Sequence, residues 1–282
     1  MLKSALKSLL PAWTRRARSA ERIVRQLGAR VLHFDRTFRF AGYKVYYQPG
    51  NALVARVRKA GGTFEPELTA DIVTLLRDHP NPVLLDIGAN IGLITLAVVR
   101  AVPNARVYAF EPGPTQYALL RKTILKNTLS DTIASIEAAA ADTKGVVSFF
   151  THTGGGDAKD GLKDTGRAAS THQIEVPSIT LDAWIQNIPI PSISAIKIDT
   201  EGAELLVLRG ARNVLRRFKP RVYFELDERN LKPYPYGPED IVEFFLNENY
   251  SVQTLDKKPV SSSNVRESMK STDTFVAMSA IG

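Results

Sequence analysis

The run VLLDIGANIG, Val83 to Gly92, limits what this chain can fold into more than any other stretch. Val83, Leu84 and Leu85 form the short apolar run of a buried parallel strand, and Ile91, Leu93, Ile94, Ala97 and Val98 continue at helical spacing. Between them, Gly88 and Gly92 let the backbone turn tightly and leave no side chain where a ligand must approach. The spacing is D-x-G-x-x-x-G, and the position whose glycine admits a pyrophosphate in the dinucleotide fingerprint holds Asn90. That points away from NAD and toward S-adenosylmethionine, which has no phosphate to cradle. Its amino acid and sulfonium can be served by an acid such as Asp86.

A second acid supports the same reading. ARVYAFEP, Ala105 to Pro112, reads as the next strand and ends in Glu111, placed to accept hydrogen bonds from both hydroxyls of a ribose. Strand and helix then alternate. Helices are expected at Pro66 to His79, Pro114 to Asn127, Leu181 to Gln186, Ala203 to Phe218 and Pro238 to Asn249. Strands are expected at Ser135 to Ala141, Gly145 to Thr151, Gln173 to Ile179, Ala195 to Asp199, Arg221 to Leu226, Ser251 to Leu255 and Thr274 to Ser279. The sum is a doubly wound α/β fold with a mostly parallel sheet closed by an antiparallel last strand. The Gly-, Asp- and Lys-containing stretch Thr153 to Thr171 reads as a lid or insertion. In such sheets ligands sit outside the carboxyl ends of the strands, where Asp86, Glu111, Asp142, Asp199 and Glu225 would gather.

The formal charge of +8 is localised. Residues 1 to 40 hold ten Lys or Arg against Glu21 and Asp35, and the remaining 242 positions balance at 27 basic and 27 acidic residues. The basicity therefore belongs to an N-terminal arm and not to the body, which argues against a nucleic-acid binder. Leu2, Leu6, Leu9 and Trp13 repeat at helical spacing among basic residues, a pattern suited to an anionic membrane surface, to an organelle transit peptide or to a cap helix. A short antiparallel pair is expected at Phe38 to Gly50. The expected organisation is an arm over 1–60 and a catalytic domain over 61–282, in a cytoplasmic protein that is peripheral to the membrane on the first of these readings of residues 1–40. The chain has no cysteine, which removes disulfides, thiolate metal sites and a cysteine nucleophile.

IKIDTEGAE, Ile196 to Glu204, repeats the first syntax: an apolar strand, an acid at its tip, then a glycine opening a helix. Asp199, Glu201 and Glu204 concentrate negative charge at the mouth of the expected cleft. With GTFEPEL (Gly62 to Leu68), DIGANIG (Asp86 to Gly92), FEP (Phe110 to Pro112), Ala141-Asp142, VPSITLDAWI (Val176 to Ile185) and KIDTEGAELLVLRGA (Lys197 to Ala211), the chain resembles the FkbM family of S-adenosylmethionine-dependent methyltransferases over about Gly61 to Met278. The resemblance implies a seven-stranded, Rossmann-like class I methyltransferase sheet and methyl transfer to an oxygen, commonly a hydroxyl of a sugar, glycan or natural product. It implies a cofactor set of Asp86, Gly88, Asn90 and Gly92 at the methionine end, with Glu65 close by, Glu111 on the ribose and Asp142 near the adenine. The basic arm and the length of the Thr153 to Thr171 stretch depart from the family pattern.

Methyl transfer to a hydroxyl needs alignment and a proton acceptor. Asp199 is the expected general base, with Glu201 beside it, and His172 is the alternative if a lid carries it over the acceptor. A divalent cation on Asp199 with Glu225 or Asp227 is conceivable, but no metal centre is assigned from such common ligands. Two other functions compete: a nucleic-acid or protein methyltransferase recruited by the arm, and a non-catalytic cofactor-binding protein. The chain lacks the N-P-P-Y or D-P-P-Y tetrapeptide of amino-methylating nucleic-acid enzymes, which counts against the first. Retention of the cofactor acids together with Asp199 counts against the second.

Overall fold

The computed structural model describes residues 35–152, 159–167 and 171–280. The amphipathic stripe from Leu2 to Val31 lies outside the described residues. The first element is a hairpin of β1 (Arg36–Phe40) and β2 (Tyr43–Tyr47), joined through Ala41 and Gly42 at φ 49° and 83°. Two residues of positive φ make the tight turn whose twist matches a hairpin. Helices α1 (Ala52–Lys59) and α2 (Pro66–Arg77) follow.

The nucleotide-binding half is built as the sequence suggests: β3 (Val83–Ile87), α3 (Leu93–Ala101), β4 (Arg106–Phe110), α4 (Pro114–Lys126) and β5 (Ile133–Ile136). The expected strand Ser135 to Ala141 divides. Its first part pairs with β4, and the short β6 (Ala139–Ala140) leaves to join β7 (Gly145–His152) and β8 (Thr171–Ile179) in a separate three-stranded sheet.

The second half comprises α5 (Leu181–Ile185), β9 (Ala195–Ile198), α6 (Glu204–Arg209), α7 (Arg212–Phe218), β10 (Arg221–Glu225), α8 (Glu228–Leu231), α9 (Pro238–Asn247), β11 (Tyr250–Thr254), β12 (Pro259–Val260), α10 (Val265–Ser268) and β13 (Thr274–Ser279). The one helix expected over Ala203 to Phe218 is two, broken after Gly210. A Cβ at that glycine would stand 2.0 Å from the Ala141 carbonyl oxygen, so the break is where helix and β6 backbone touch.

The main sheet runs β12-β11-β13-β10-β9-β3-β4-β5. β13 is antiparallel to β10 and β11, while β10, β9, β3, β4 and β5 are mutually parallel. This is the doubly wound sheet with a reversed last strand that defines a class I methyltransferase fold, except that among the described residues it has eight strands where seven are expected. The extra one is the two-residue edge strand β12. Apolar residues of alternating strand positions fill both faces. Leu85, Ile87, Ile196, Ile198 and Phe224 pack beneath α5–α9, while Leu84, Val107 and Ala195 pack beneath α1–α4. Phe40, Val45 and Tyr47 of the hairpin and Val54 and Val57 of α1 belong to the second cluster, so residues 36–60 share the core of the sheet.

Candidate active site

The strand order reverses direction of travel between β3 and β9, and the cleft opens at their carboxyl ends, as open α/β sheets require. It spans about 970 Å³ of space, part of it open to solvent. Gly88 sits at φ 78°, and a Cβ there would lie 1.8 Å from the Asp199 carbonyl oxygen, so only glycine lets the first loop press against the backbone of the second. Three non-glycine residues with left-handed backbone line the cleft: Glu65 (φ 41°), Asn90 (φ 50°) and Glu201 (φ 56°). Backbone held in this sparsely populated region collects where a ligand is to be clamped.

One half of the cleft fits a nucleoside. Glu111, 5% exposed, accepts from the Asn90 backbone N–H at 2.8 Å and from the Gly113 N–H at 2.7 Å, which aims the carboxylate and leaves lone pairs for ligand hydroxyls. Burial pushes its carboxyl up to about 7, against the pull of those two N–H groups. Ile94, Phe110, Pro112, Ala138, Ala139 and Leu162 supply apolar walls for a base. Among the described residues, the Lys and Arg that line the cleft are Arg56 and Lys197, both at the other half.

The other half is acidic. One carboxylate oxygen from each of Asp199, Glu201 and Glu225 lies within 4.8 Å of the other two. Two of the three already have a protein cation: Lys197 Nζ donates to Asp199 Oδ2 at 3.2 Å, and Arg167 Nη2 to Glu201 Oε2 at 2.8 Å. Burial first, then repulsion from Asp199, pushes Glu201 up to about 8. The same two causes, with Glu201 next, raise Glu225 well above the usual carboxylate range. Glu65, pushed up to about 7 by burial and by Asp199, completes the rim with Arg56 at 3.9 Å. Glu204 does not join the cleft. Its Oε1 accepts from the Thr200 and Gly202 backbone N–H groups at 2.9 and 3.2 Å and so braces the turn that carries Glu201.

A cover lies over this half. Gly161 exchanges backbone hydrogen bonds with Phe150, and Arg167 reaches across to Glu201, to Asp227 Oδ2 at 3.4 Å and to Asn230. Asp160, which lines the cleft, accepts from the His152 backbone N–H at 2.8 Å with the imidazole Nδ1 3.1 Å away.

Of the residues singled out from sequence, the cleft is lined by Glu65, Gly88, Asn90, Glu111, Asp199, Glu201 and Glu225. Four others are placed elsewhere. Asp86 is fully buried under the floor, because the strand's alternation gives its last residue, Ile87, to the cleft and turns Asp86 to the opposite face. There it accepts from Thr95 Oγ1 at 2.5 Å and faces Lys197 Nζ at 3.6 Å. Gly92 is the N-terminal cap of α3 and packs against Leu120. Asp142 is exposed beyond β6, beside Gly210. His172 is not on a loop: it pairs with Thr151 within the β7–β8 hairpin and is exposed. Sequence reasoning passed over Lys197, Arg167 and Arg56. A lysine inside the apolar strand I-K-I-D was a readable sign for the first, while Arg167 gave none.

The chain belongs to the FkbM methyltransferase family: the methyltransferase FkbM domain model matches residues 86–252, more than half of the chain. Among curated relatives it is 31% identical over 172 residues to the 2-O-methyltransferase NoeI of Sinorhizobium fredii, covering 57% of this chain and 69% of that protein. It is 26% identical over 148 residues to the hexuronic acid methyltransferase AglP of Haloferax volcanii, covering 52% and 57% respectively. The alignments thus span 69% and 57% of these two relatives. The crystal structure of an FkbM methyltransferase from Methylobacillus flagellatus is 18% identical with a TM-score of 0.42, over 69% of this chain and 42% of that one.

Proposed function

We propose that this protein transfers the methyl group of S-adenosyl-L-methionine to a hydroxyl oxygen of a sugar or related small-molecule polyol. The observation that carries the reading is one cleft with two unlike ends: a buried carboxylate aimed by two backbone N–H groups at Glu111, and the carboxylate of Asp199 at a neighbouring strand tip. The first is the chemistry of ribose recognition and the second that of a proton acceptor. Names of relatives agree with an oxygen acceptor in NoeI and a sugar acid in AglP.

When bound, the cofactor supplies an electrophilic methyl carbon on a sulfonium. Glu111 would hold the ribose hydroxyls, the Gly88–Asn90 backbone and Glu65 would face the amino acid end, and Ala138–Ala140 with Phe110 would border the base; all of these line the cleft. Asp199 accepts the acceptor's hydroxyl proton as the new carbon–oxygen bond forms and the carbon–sulfur bond breaks. Its side chain is 34% exposed, accessible to an acceptor while held by Lys197. Glu201 and Glu225, both raised by burial and by Asp199, offer further hydrogen-bonding carboxyl groups for the remaining hydroxyls of a polyol. The segment from Asp160 to Arg167 limits water at this end.

No helix among the described residues is long and apolar enough to cross a membrane. Peripheral contact with an anionic surface through residues 1–40 is part of the proposal. The function is tested by a transfer assay with labelled S-adenosylmethionine against sugar nucleotides, lipid-linked glycans and polyols, with and without chelator. Label in an alkali-stable ether of a polyol acceptor supports it; label only in protein, nucleic acid or amine products overturns it.

A further inference from the structure

Lys197 is a charge set into an apolar sheet face. On β9 it is in register with Asp86 of β3 and Tyr223 of β10, on the face where Leu84, Ala195, Tyr223 and Val276 form the core, and it is 5% exposed. Pairing with Asp86 alone would account for a buried lysine, but the ammonium goes further. It stands closer to Asp199 Oδ2 (3.2 Å) and to the Gly88 carbonyl oxygen (3.3 Å) than to Asp86 Oδ1 (3.6 Å). It therefore joins the cofactor loop, the buried acid below and the acid at the acceptor end through one group.

We propose that Lys197 is a positioning residue whose ammonium pairs with the Asp199 carboxylate, aims it at the acceptor hydroxyl and fixes it relative to the glycine loop. This rests on the methyl-transfer reading above. Lys197 is not the proton acceptor itself. Burial works to remove its proton, but Asp199, Asp86 and Glu65 together overcome this and hold the ammonium well above the ordinary lysine range. Glu65 ahead of α2, Glu201 on the turn and Glu225 at the end of β10 crowd Asp199, and burial followed by the charge of Asp199 pushes all three up. Arg167 is spent on Glu201, Asp227 and Asn230. With three carboxyl groups crowded around Asp199, Lys197 is the cation that bonds to it, at 3.2 Å. The hydrogen bond to Gly88 makes the same ammonium a brace between donor and acceptor subsites, where a misplacement of about 1 Å can cost about a hundredfold in rate.

Replacing Lys197 alone strands Asp86 in the core, so the informative variant removes both charges, Asp86→Asn with Lys197→Met, with Asp86→Asn alone as control. The Asp199 carboxyl is followed by 13C NMR titration of aspartate-labelled full-length protein, its resonance assigned by loss in Asp199→Asn. The proposal expects the double variant to titrate Asp199 at least about one pH unit higher than the control, the usual effect of losing an adjacent cation. The acid limb of kcat against pH should move up in parallel, while the affinity for S-adenosylhomocysteine holds, and Lys197→Arg should restore most of the limb. An unmoved Asp199 titration, with kcat lowered by the same factor at every pH, overturns the proposal and leaves Lys197 a structural partner of Asp86. If wild-type protein transfers no methyl group, the function proposed above fails, and the NMR titration still decides whether Lys197 controls Asp199.

Discussion

Glu111 makes a quantitative commitment. Its carboxyl is pushed up to about 7 by burial, while ribose hydroxyls need it as the ionised acceptor. Cofactor binding must therefore expel a proton below that pH. With the bound carboxylate held ionised, the apparent Kd scales as 1 + 10^(7−pH), so binding is about tenfold weaker at pH 6 than at pH 8. Glu111→Ala removes the partner of the ribose hydroxyls and strands the N–H groups of Asn90 and Gly113, a loss of about 1–3 kcal/mol, or about five- to 150-fold in Kd. Glu111→Gln keeps the shape but offers one acceptor oxygen, and it abolishes most of the pH slope. Any slope that remains measures Glu65, which is raised into the same range. The sign for stability is the reverse. Between about 4.5 and 7 the folded state holds a proton that the unfolded state releases, so ligand-free protein loses up to about 3 kcal/mol as pH rises through that window. Ligand-free Glu111→Gln accordingly melts higher relative to wild type at pH 8 than at pH 5. Calorimetry with S-adenosylhomocysteine from pH 5.5 to 8 checks the binding arm. Wild-type affinity in Glu111→Ala, or a flat wild-type profile, refutes the assignment of Glu111 to the ribose.

Asp199→Asn is expected to lower kcat by about a hundredfold or more with cofactor binding nearly intact, as loss of a general base does. His172→Ala, on an exposed strand position outside the cleft, should turn over at close to the wild-type rate, and the reverse pattern in a steady-state assay moves the base to the hairpin. Arg167→Ala frees the cover from Glu201, Asp227 and Asn230, so acceptor KM should rise severalfold with cofactor Kd unchanged; an unaltered KM would detach the cover from acceptor binding. A chain beginning at Asp35, which keeps β1 and the 2.8 Å Asp35–Lys122 ion pair, should fold, bind S-adenosylhomocysteine and no longer cosediment with anionic vesicles, whereas the full-length protein does so in a salt-sensitive way. Insolubility of the shorter chain would make the arm a structural cap.

The backbone of the site was legible because its signals are local. An apolar run, a glycine turn and an acid at the tip mark β3, β4 and β9 within a few residues each, and strand-tip position alone brings Asp199 and Glu111 to one edge. What escaped depends on distant partners. The direction of Asp86 follows from which face of β3 meets the cleft, and one step of the pleat exchanges it for Ile87. Lys197 gains meaning only from Asp86 and Gly88, more than a hundred positions earlier, and Arg167 only from the turns after β9 and β10. The break at Gly210 and the division of Ser135 to Ala141 share a cause: β6 leaves the main sheet, and the helix parts where the two backbones meet.

The central claim is that one cleft seats the donor over Glu111 and presents its methyl end to Asp199. A crystal structure with S-adenosylhomocysteine tests it most directly. The account predicts both ribose hydroxyls within hydrogen-bonding distance of the Glu111 carboxylate, the base among Phe110, Ala138 and Ala139, and the sulfur facing Asp199 with room between for an acceptor hydroxyl. A ribose held elsewhere, or a sulfur turned away from Asp199, would contradict it.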